Sequence, residues 1–330
     1  MGIVNDFKQK IIAKSMSVVL PEGNDERIIQ AARKLKDEDV ARPIVLGKPE
    51  QVEAAIKKAG VTLDGITTIN PGQSDKLDAY VEKYIEGRDD ISAAVAKRMV
   101  IKPLFYGGMM AASGDADAVV GGAASATTTV IQAGVLTVGF AEGIRTISSC
   151  FLMVIPNFPG ESDKRFIYAD CAVNIDPTAE ELADIALASA ASAKRLLGQK
   201  PRVALLSFST KGSASAPSVD KVKEALKIVR AREPGLAIDG EFQADAAIVP
   251  RVAARKVKDA STVAGKANVL IFPDLNSGNI AYKLTQYMAD AQAVGPFLQG
   301  FAKPIADLSR GATVDEIVTT TVLTLAQCSF

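Results

Sequence analysis

Residues 17–46, SVVLPEGNDERIIQAARKLKDEDVARPIVL, decide the fold class. The run Ser17–Leu20 predicts a short buried strand, which ends at Pro21–Gly23. From Asp25 to about Lys36 apolar residues recur at helical spacing, and Pro43–Leu46 predicts a second strand. A strand, a helix and a further strand in this order form the unit from which parallel sheets are built.

The same alternation continues along the chain. A helix is predicted over Glu50–Ala59, strands over 118–121, 203–208 and 267–272, and helices over about 178–197, 218–231 and 279–289. Together with the length of 330 residues, the pattern predicts an α/β protein of about two domains with largely parallel sheets. The stretch IPNFPGESDK, residues 155–164, predicts a hairpin loop or, as the weaker alternative, a domain linker.

The composition excludes several classes of enzyme. The chain has no histidine, so Ser-His-Asp hydrolases, Cys-His proteases, HExxH metalloproteases and histidine-dependent deaminases are ruled out. Its 38 basic and 38 acidic side chains balance, which gives no sign of binding to nucleic acid or to a membrane surface. Cys150, Cys171 and Cys328 lie far apart without a CxxC pair, which predicts buried thiols and neither a disulfide framework nor a metal site.

The N-terminal sequence, MGIVNDFKQKIIAKS, does not resemble a secretory signal. It carries charges where a signal peptide has an apolar run of about 7 to 15 residues. No apolar stretch approaches the roughly 18 residues of a membrane-spanning helix. We therefore expect a cytoplasmic protein without a membrane partner.

Three loops rich in glycine, serine and threonine follow predicted strands, at 121–129, 209–213 and 274–279. Such loops present backbone N–H groups and hydroxyls at the carboxyl edge of a sheet, where α/β proteins bind phosphate groups. The same residue types also cap helices, but three loops together favour an anion-binding site. No P-loop motif occurs, and no GxGxxG motif follows a strand. The candidate substrate-binding residues in or next to these loops are Ser125, Thr128, Lys211, Ser213, Gly278, Tyr282 and Lys283.

The segment 304–317, PIADLSRGATVDEI, contains the sharpest chemical pattern. Arg310, followed by a glycine, places a planar guanidinium on a tight loop, where it can bind a phosphate or carboxylate with two hydrogen bonds, and Ser309 adds a donor. Thr313 and Glu316 have the spacing of a capping box, in which the glutamate bonds back to the threonine N–H. From spacing alone, this structural role of Glu316 is favoured over a chemical one.

Longer motifs resemble one enzyme family. FPDLNSGNIAYK (272–283), GPFLQG (295–300) and KPIADLSRG (303–311) are similar to motifs of the phosphate acetyltransferases, also called phosphotransacetylases. Supporting matches lie at 20–23 with Arg27, 114–117, 169–172, 177–186, 209–213 and 238–241, so the resemblance covers essentially the whole chain. Segments 147–149 and 186–190 also resemble the ethanolamine-utilisation subgroup.

The resemblance implies an activity and an architecture. The reaction is the interconversion of acetyl-CoA and phosphate with acetyl phosphate and CoA, with CoA and acetyl-CoA as substrates and no covalently bound cofactor. The implied fold has two three-layer α/β/α domains of the isocitrate/isopropylmalate dehydrogenase type, formed by residues 1–146 with 298–330 and by residues 147–297. The implied active site lies in the cleft between the domains, and the implied assembly is a homodimer.

The resemblance also assigns roles to three residues of the 304–317 segment. Arg310 would hold the phosphoryl oxygens, Ser309 would donate to the tetrahedral oxyanion, and Glu316 would accept the proton of the CoA thiol. Between an ordinary thiol and an ordinary glutamate, that proton transfer is uphill by about 4 pKa units, or about 6 kcal/mol. The base role of Glu316 therefore requires a partly buried carboxylate.

Three positions depart from the family pattern. Glu316 replaces the aspartate of most members, with Asp315 beside it as an alternative base. Gln132 stands where the family usually has an arginine that contacts substrate, and the upstream family arginine matches Arg88 only with a gap. Gln132 and Arg88 are still assigned to the substrate-binding set.

Three other functions are alternatives to this one. The same chemistry could act on propionyl or butyryl groups, because one or two methylenes change binding in an apolar pocket by only about 1 to 3 kcal/mol. A homologue that keeps the fold without turnover is suggested by Gln132 and Glu316. A metal-dependent decarboxylating dehydrogenase of the same fold is disfavoured, because the sequence shows no cluster of aspartates for a metal.

Overall fold

The structure, a computed structural model, describes residues 2–328. Contacts divide the chain into two units. Unit 1 comprises the described residues up to Ala141 and from Phe301 onward, and unit 2 spans Glu142–Gly300. These units divide after residues 141 and 300, and the domain bounds of 146 and 297 that the resemblance implies stay a prediction. Each unit contains one sheet with helices packed against it.

Strands and helices alternate along the chain, which confirms the predicted α/β class. The strands are β1 (Ser17–Leu20), β2 (Arg42–Leu46), β3 (Thr67–Ile69), β4 (Ala118–Gly121), β5 (Ser148–Phe158), β6 (Glu161–Ala169), β7 (Val203–Leu206), β8 (Ile238–Phe242), β9 (Val269–Ile271), β10 (Gln292–Gln299) and β11 (Ile305–Asp307). The helices are α1 (Gly2–Ile12), α2 (Glu26–Asp37), α3 (Pro49–Ala59), α4 (Leu77–Ile85), α5 (Ala93–Val100), α6 (Pro103–Ala112), α7 (Thr127–Thr137), α8 (Ala179–Leu197), α9 (Pro217–Arg232), α10 (Ala244–Ile248), α11 (Pro250–Lys256), α12 (Leu275–Met288) and α13 (Val314–Leu325).

Unit 1 is built on a five-stranded parallel sheet with the order β11-β4-β1-β2-β3. β1 and β4 are buried at every position, as expected for the centre of a parallel sheet that is covered on both faces. α2 buries Ile28, Ile29 and Leu35, and Asp25 caps its first turn. Because β11, β4 and β1 are parallel neighbours, the loops that follow them meet at one edge of the sheet.

Unit 2 is built on a six-stranded sheet with the order β10-β5-β6-β9-β7-β8. β6, β9, β7 and β8 are parallel, whereas β5 and β10 run antiparallel to their neighbours. β5 and β6 pair from Cys150 and Ala169 out to Phe158 and Glu161, across the 155–164 stretch. That stretch is therefore the predicted hairpin, and the linker alternative is wrong.

All three cysteines are buried, as predicted from their spacing. Burial raises the pKa of Cys150 to about 12, so this thiol stays protonated near neutral pH. Within residues 2–328, the helices are all too short or too polar to cross a membrane.

Candidate active site

A buried carboxylate lies at the edge of the unit 1 sheet where β1, β4 and β11 end. Glu22 follows β1 and is 5% exposed. Its Oε2 accepts the N–H groups of Gly122 at 2.9 Å and Ala123 at 2.7 Å, and its Oε1 accepts that of Ala124 at 3.1 Å. Burying a carboxylate is costly unless hydrogen bonds replace its water, and three amides do so here. Those amides, expected from the sequence to face a phosphate, are not available to a ligand.

Arg27, in the first turn of α2, joins the loops after β4 and β11. Its Nη1 donates to the carbonyl oxygens of Arg310 at 2.8 Å and Ala312 at 2.9 Å, and its Nη2 donates to that of Ala123 at 3.0 Å. Nε and Nη2 donate to the Asp25 carboxylate at 3.0 and 2.6 Å. All five guanidinium N–H groups are thus used within unit 1. Arg27 therefore fixes the backbone of both loops.

The pairing of Arg27 with Asp25 changes the acidity of both groups. The hydrogen bond to Asp25 raises the pKa of the Arg27 guanidinium. Burial raises the pKa of Asp25, but the hydrogen bonds from Arg27 outweigh it and hold that pKa below its ordinary value. Both groups therefore stay ionised, and the connection between the loops persists, over the neutral pH range.

The loop after β11 presents the two residues expected to handle the reacting groups. Ser309 and Arg310 are both exposed. Within the described residues the Arg310 guanidinium makes no hydrogen bond or ion pair, while its backbone carbonyl is held by Arg27. An unpaired guanidinium on a fixed backbone is suited to bind an oxyanion through two parallel hydrogen bonds. Ser309 Oγ accepts a 3.3 Å hydrogen bond from the N–H of Gly311 and keeps its own proton to donate.

The helix that follows β4 carries three more candidate residues. α7 begins at Thr127, and its N-cap residue, Ala126, makes no side-chain cap. Ser125 is half-buried, whereas Thr128 and Gln132 are exposed and, four residues apart, share one face of the helix. Because β4 and β11 are neighbours, the first turn of α7 begins beside the loop that follows β11.

Glu316 lies in the first turn of α13 and is exposed. Its Oε2 accepts the Thr313 N–H at 2.8 Å and the Thr313 hydroxyl at 3.0 Å, while Thr313 Oγ1 accepts the Glu316 N–H at 3.3 Å. The capping box predicted from the spacing is confirmed. The expectation that the Glu316 carboxylate is partly buried is wrong, because the side chain caps a helix end that is open to solvent. Glu316 Oε1 has no hydrogen-bond partner among the residues that the structure describes.

Asp315, the alternative base, is occupied elsewhere. Lys34 of α2 donates to its carboxylate at 2.7 Å, and this hydrogen bond raises the pKa of Lys34. The Asp315 side chain is 80% exposed, so the pair is a surface contact between α13 and α2.

Arg88 is not at this edge of the sheet. Its Nη1 and Nη2 donate to the carbonyl oxygens of Tyr84 and Leu136, each at 2.8 Å, and the guanidinium lies 4.3 Å from the centre of the Tyr84 ring. Leu136 is at the carboxyl end of α7, about 14 Å along the helix from Thr127. The structure therefore places Arg88 where it fixes the far end of α7.

In unit 2, Lys211 is paired inside the protein. Its Nζ donates to Asp239 at 2.6 Å and to the Gly240 carbonyl at 2.9 Å, and it lies 5.2 Å from the centre of the Phe242 ring. Asp239 is buried and also accepts from Arg230 at 2.9 Å. The lysine expected to bind phosphate thus neutralises a buried carboxylate.

Of the other candidate substrate-binding residues in unit 2, some pack inside the protein and others are accessible to a ligand. Gly278 is buried, and a Cβ at this position would lie 2.1 Å from the Asp170 carbonyl oxygen. The absence of a side chain therefore lets α12 pack closely against the loop that follows β6. The Tyr282 ring stacks on Phe151 at 4.2 Å, and burial raises its pKa. Ser213 and Lys283 are exposed and keep polar groups that a ligand can reach.

Comparisons with known proteins agree with these features. Residues 3–325 match the sequence model of the family described as phosphate acetyl/butaryl transferase. A phosphate acetyltransferase of Acetivibrio thermocellus is 40% identical over 330 residues, with 98% of each chain covered. The chain belongs to the phosphate acetyl/butaryl transferase family. The resemblance carried by the sequence motifs is confirmed, and the protein is an acyltransferase.

Solved structures support the same assignment. The EutD phosphotransacetylase from Staphylococcus aureus is 37% identical with a TM-score of 0.89 and covers 99% of this chain and 98% of its own. A phosphotransacetylase from Streptococcus pyogenes is 42% identical, with the same TM-score and coverage. The fold of this phosphate acetyl/butaryl transferase is thus shared with both.

Glu22 and Arg27 were not among the candidate site residues expected from the sequence, although both lie in segments that match the family. The sequence around Glu22 could have indicated a role at the site, because a carboxylate that directly follows a buried strand lies at the edge of the sheet where ligands bind. No local pattern could have indicated the role of Arg27, because its backbone acceptors outside α2 are 96 to 285 residues away along the chain.

We expect Arg27→Lys to lower kcat of the transferase by about 100-fold with little change in KM, because lysine keeps the charge but cannot hold both loops in place. Steady-state kinetics and thermal unfolding measure the two effects separately. Arg33→Lys on the same helix is the control, since Arg33 bonds to Asp37 and to the Asp64 carbonyl. An unchanged kcat with a raised KM for CoA would mean that Arg27 binds substrate directly.

Proposed function

We propose that the protein catalyses the reversible transfer of an acetyl group between CoA and phosphate. The observation that carries this proposal is the Arg310 guanidinium, unpaired and exposed on a loop whose backbone Arg27 fixes. Next to the amino end of a helix, such a group is suited to bind phosphoryl oxygens. The names of the relatives support acetyl as the acyl group.

The reaction is proposed to proceed through a tetrahedral intermediate. In the direction of acetyl-CoA synthesis, the CoA thiol loses its proton and the sulfur attacks the carbonyl carbon of acetyl phosphate. Ser309 donates to the carbonyl oxygen as it becomes an oxyanion. The carbonyl then re-forms, the bond from carbon to the phosphate oxygen breaks, and Arg310 balances the charge of the leaving phosphate. The reverse reaction uses the same steps.

We assign the thiol proton to Glu316 Oε1. Oε2 is held by the capping box, which orients the carboxylate, and Oε1 has no partner in the described part of the chain. In the free protein the Glu316 side chain is exposed, so the partial burial that its base role requires has to come from the bound substrate. A guanidinium beside the sulfur, here that of Arg310, would lower the pKa of the thiol and favour the same proton transfer.

We propose that accessible polar groups of both units bind the substrates. We do not propose that Lys211, Gly278 and Arg88 bind substrate, because each makes contacts inside the protein that explain why this residue type is present. The retained candidates are Ser125, Thr128 and Gln132 in unit 1 and Ser213, Tyr282 and Lys283 in unit 2.

With phosphate and acetyl-, propionyl- or butyryl-CoA, we expect purified protein to release free thiol fastest from acetyl-CoA. Arg310→Ala should lower kcat/KM by about 100- to 1000-fold. Gln132→Ala should cost far less, because glutamine carries no charge to balance the phosphate. Comparable losses in the two variants would contradict the role of Arg310, and no turnover with any thioester by folded protein would identify a non-catalytic homologue.

Glu316→Gln tests the base separately from the cap, because glutamine can keep the capping box but cannot take up the thiol proton. We expect kcat to fall by about 100-fold or more while the thermal midpoint is unchanged. Thr313→Ala is the matched control: it removes the hydroxyl from the cap and costs about 1 kcal/mol of stability, but it keeps the Glu316 carboxylate and its bond from the backbone N–H at position 313. Full activity of Glu316→Gln would make the residue purely structural.

We also propose a homodimer that forms through α12. Ile280, Leu284, Tyr287 and Met288 are exposed by 56%, 52%, 83% and 81%. On a helix these four positions lie within an arc of about 100°. A continuous apolar stripe on a surface marks an interaction site, and the family resemblance supports a second copy as its occupant.

Tyr287→Glu with Met288→Glu is expected to convert the dimer to a monomer, because two charges would be buried without partners. Sedimentation velocity of the purified protein measures the change. Val95→Glu is the control, since Val95 is 50% exposed on α5 outside the stripe. A monomeric parent protein, or a dimeric double variant, would refute this interface.

A further inference from the structure

One carboxyl group at the unit 1 edge has no role in the proposed reaction. Asp307 is the last residue of β11 and pairs in register with Gly121 of β4. Its Oδ1 is buried and has no hydrogen-bond partner in the part of the chain that is described. Gly122, with φ 109°, lies so close that a Cβ there would be 2.4 Å from Oδ1. Burying an ionised carboxylate oxygen without a hydrogen-bond donor costs free energy. Burying the neutral carboxyl group in the same place costs less.

The second oxygen of Asp307 contacts the amino end of α7. Thr127 Oγ1 and Asp307 Oδ2 are 2.5 Å apart. Thr127 is the first residue of the helix and is exposed, and the N-cap residue Ala126 makes no side-chain cap. The threonine hydroxyl therefore lies where a bound oxyanion would meet the free N–H groups of the helix.

The groups around Asp307 favour its neutral form. Burial and the Glu22 carboxylate raise the pKa of Asp307, and the hydrogen bond from Thr127 lowers it by less, so the net direction is upward. Among the other charged groups, Arg27 is already paired with Asp25, and Arg310 is exposed on the same loop. β11 packs against β4, α7 and α13, and of these only α13 carries charged side chains, Asp315 and Glu316. The charged side chains of the adjoining loops and the start of α2 are Glu22, Asp25, Arg27 and Arg310.

We propose that Asp307 and Thr127 act as a pair that controls oxyanion binding at the amino end of α7. With a proton on Asp307, its Oδ2–H donates to Thr127 Oγ1, and the threonine O–H donates to an oxygen of the bound phosphoryl group. Without that proton, Asp307 accepts from the hydroxyl and places a negative charge beside the anion. The two states differ by one proton, which is exchanged with solvent. Thr127 is then a substrate-binding residue and Asp307 a positioning residue.

This inference rests on the proposed binding of phosphate at this edge. Asp307 is neutral at pH values below its pKa and charged above it. Because this pKa is raised, the neutral form persists to a higher pH than it does for an ordinary aspartate. Oxyanion affinity should therefore be full at lower pH and fall as the pH rises through the pKa of Asp307. A pair that only packs the loop against the helix would give no such dependence.

The test measures inhibition by sulfate against phosphate, since sulfate resembles phosphate but does not change its charge in this range. The proteins are the unmodified enzyme, Asp307→Asn, Thr127→Val and, as a control, Asp78→Asn, which removes an 80% exposed carboxylate elsewhere in unit 1. Asparagine cannot ionise, and its amide can donate to Thr127 as the protonated carboxyl does. Inhibition constants are measured across the pH range in which each protein stays folded.

We expect sulfate to bind the unmodified enzyme and Asp78→Asn more weakly as the pH rises. Asp307→Asn should bind it tightly and independently of pH, and Thr127→Val should bind it about tenfold more weakly at low pH. The proposal is overturned if Asp307→Asn keeps the original pH dependence, if Thr127→Val keeps full affinity, or if sulfate does not bind the unmodified enzyme.

A direct measurement separates this inference from the proposed reaction. In protein labelled with carbon-13 at the aspartate carboxyls, the signal that Asp307→Asn lacks is expected to titrate above the ordinary range of aspartate and to shift when sulfate is added. An ordinary titration would refute the pair. A raised titration and sulfate response in a protein without turnover would refute the proposed reaction and leave the pair standing.

Discussion

The hydrogen bonds between Glu22 and the amides of residues 122–124 are the constraint on which the unit 1 edge depends. They tie the end of β1 to the first residues after β4. If the loop moved away, a buried carboxylate would lose its donors, at a cost of about 3 to 5 kcal/mol. Gly122 is thereby held against the end of β11, where its lack of a side chain permits the close approach to Asp307. Exposed groups such as the Arg310 guanidinium are thus carried on a backbone that cannot easily relax.

The same bonds show why a glycine-rich loop after a strand is an ambiguous signal. The sequence correctly predicts where such loops occur, but it does not reveal whether their N–H groups face a ligand or a carboxylate of the protein itself. In unit 2 the ambiguity recurs, because Lys211 is paired with Asp239 rather than left for a phosphate. An internal carboxylate loses no translational freedom when it binds, so it competes well against a ligand of equal charge.

Local features of the fold were predictable, and distant pairings were not. Strands, helices, the β5–β6 hairpin and the Thr313–Glu316 capping box follow from patterns that span a few residues. The family followed from long motifs. The contacts of Arg27, and the pair of Thr127 and Asp307, join residues that are up to 285 positions apart and leave no local trace. The burial expected of Glu316 was inferred from what the chemistry requires, and solvent exposure is set by the surrounding fold instead.

Unit 1 is discontinuous in sequence, and this has a consequence for the chain as it is synthesised. β11 and the loop that carries Arg310 are encoded after the whole of unit 2, so a ribosome makes unit 2 before it can complete the sheet of unit 1. Until then β4 is an open edge, prone to pair with the strands of other nascent chains. A nascent chain that ends within unit 2 lacks Arg310, the residue proposed to bind phosphate. The proposed phosphate site of unit 1 can therefore form only after a three-residue strand and the loop behind it have been translated, later than all of unit 2.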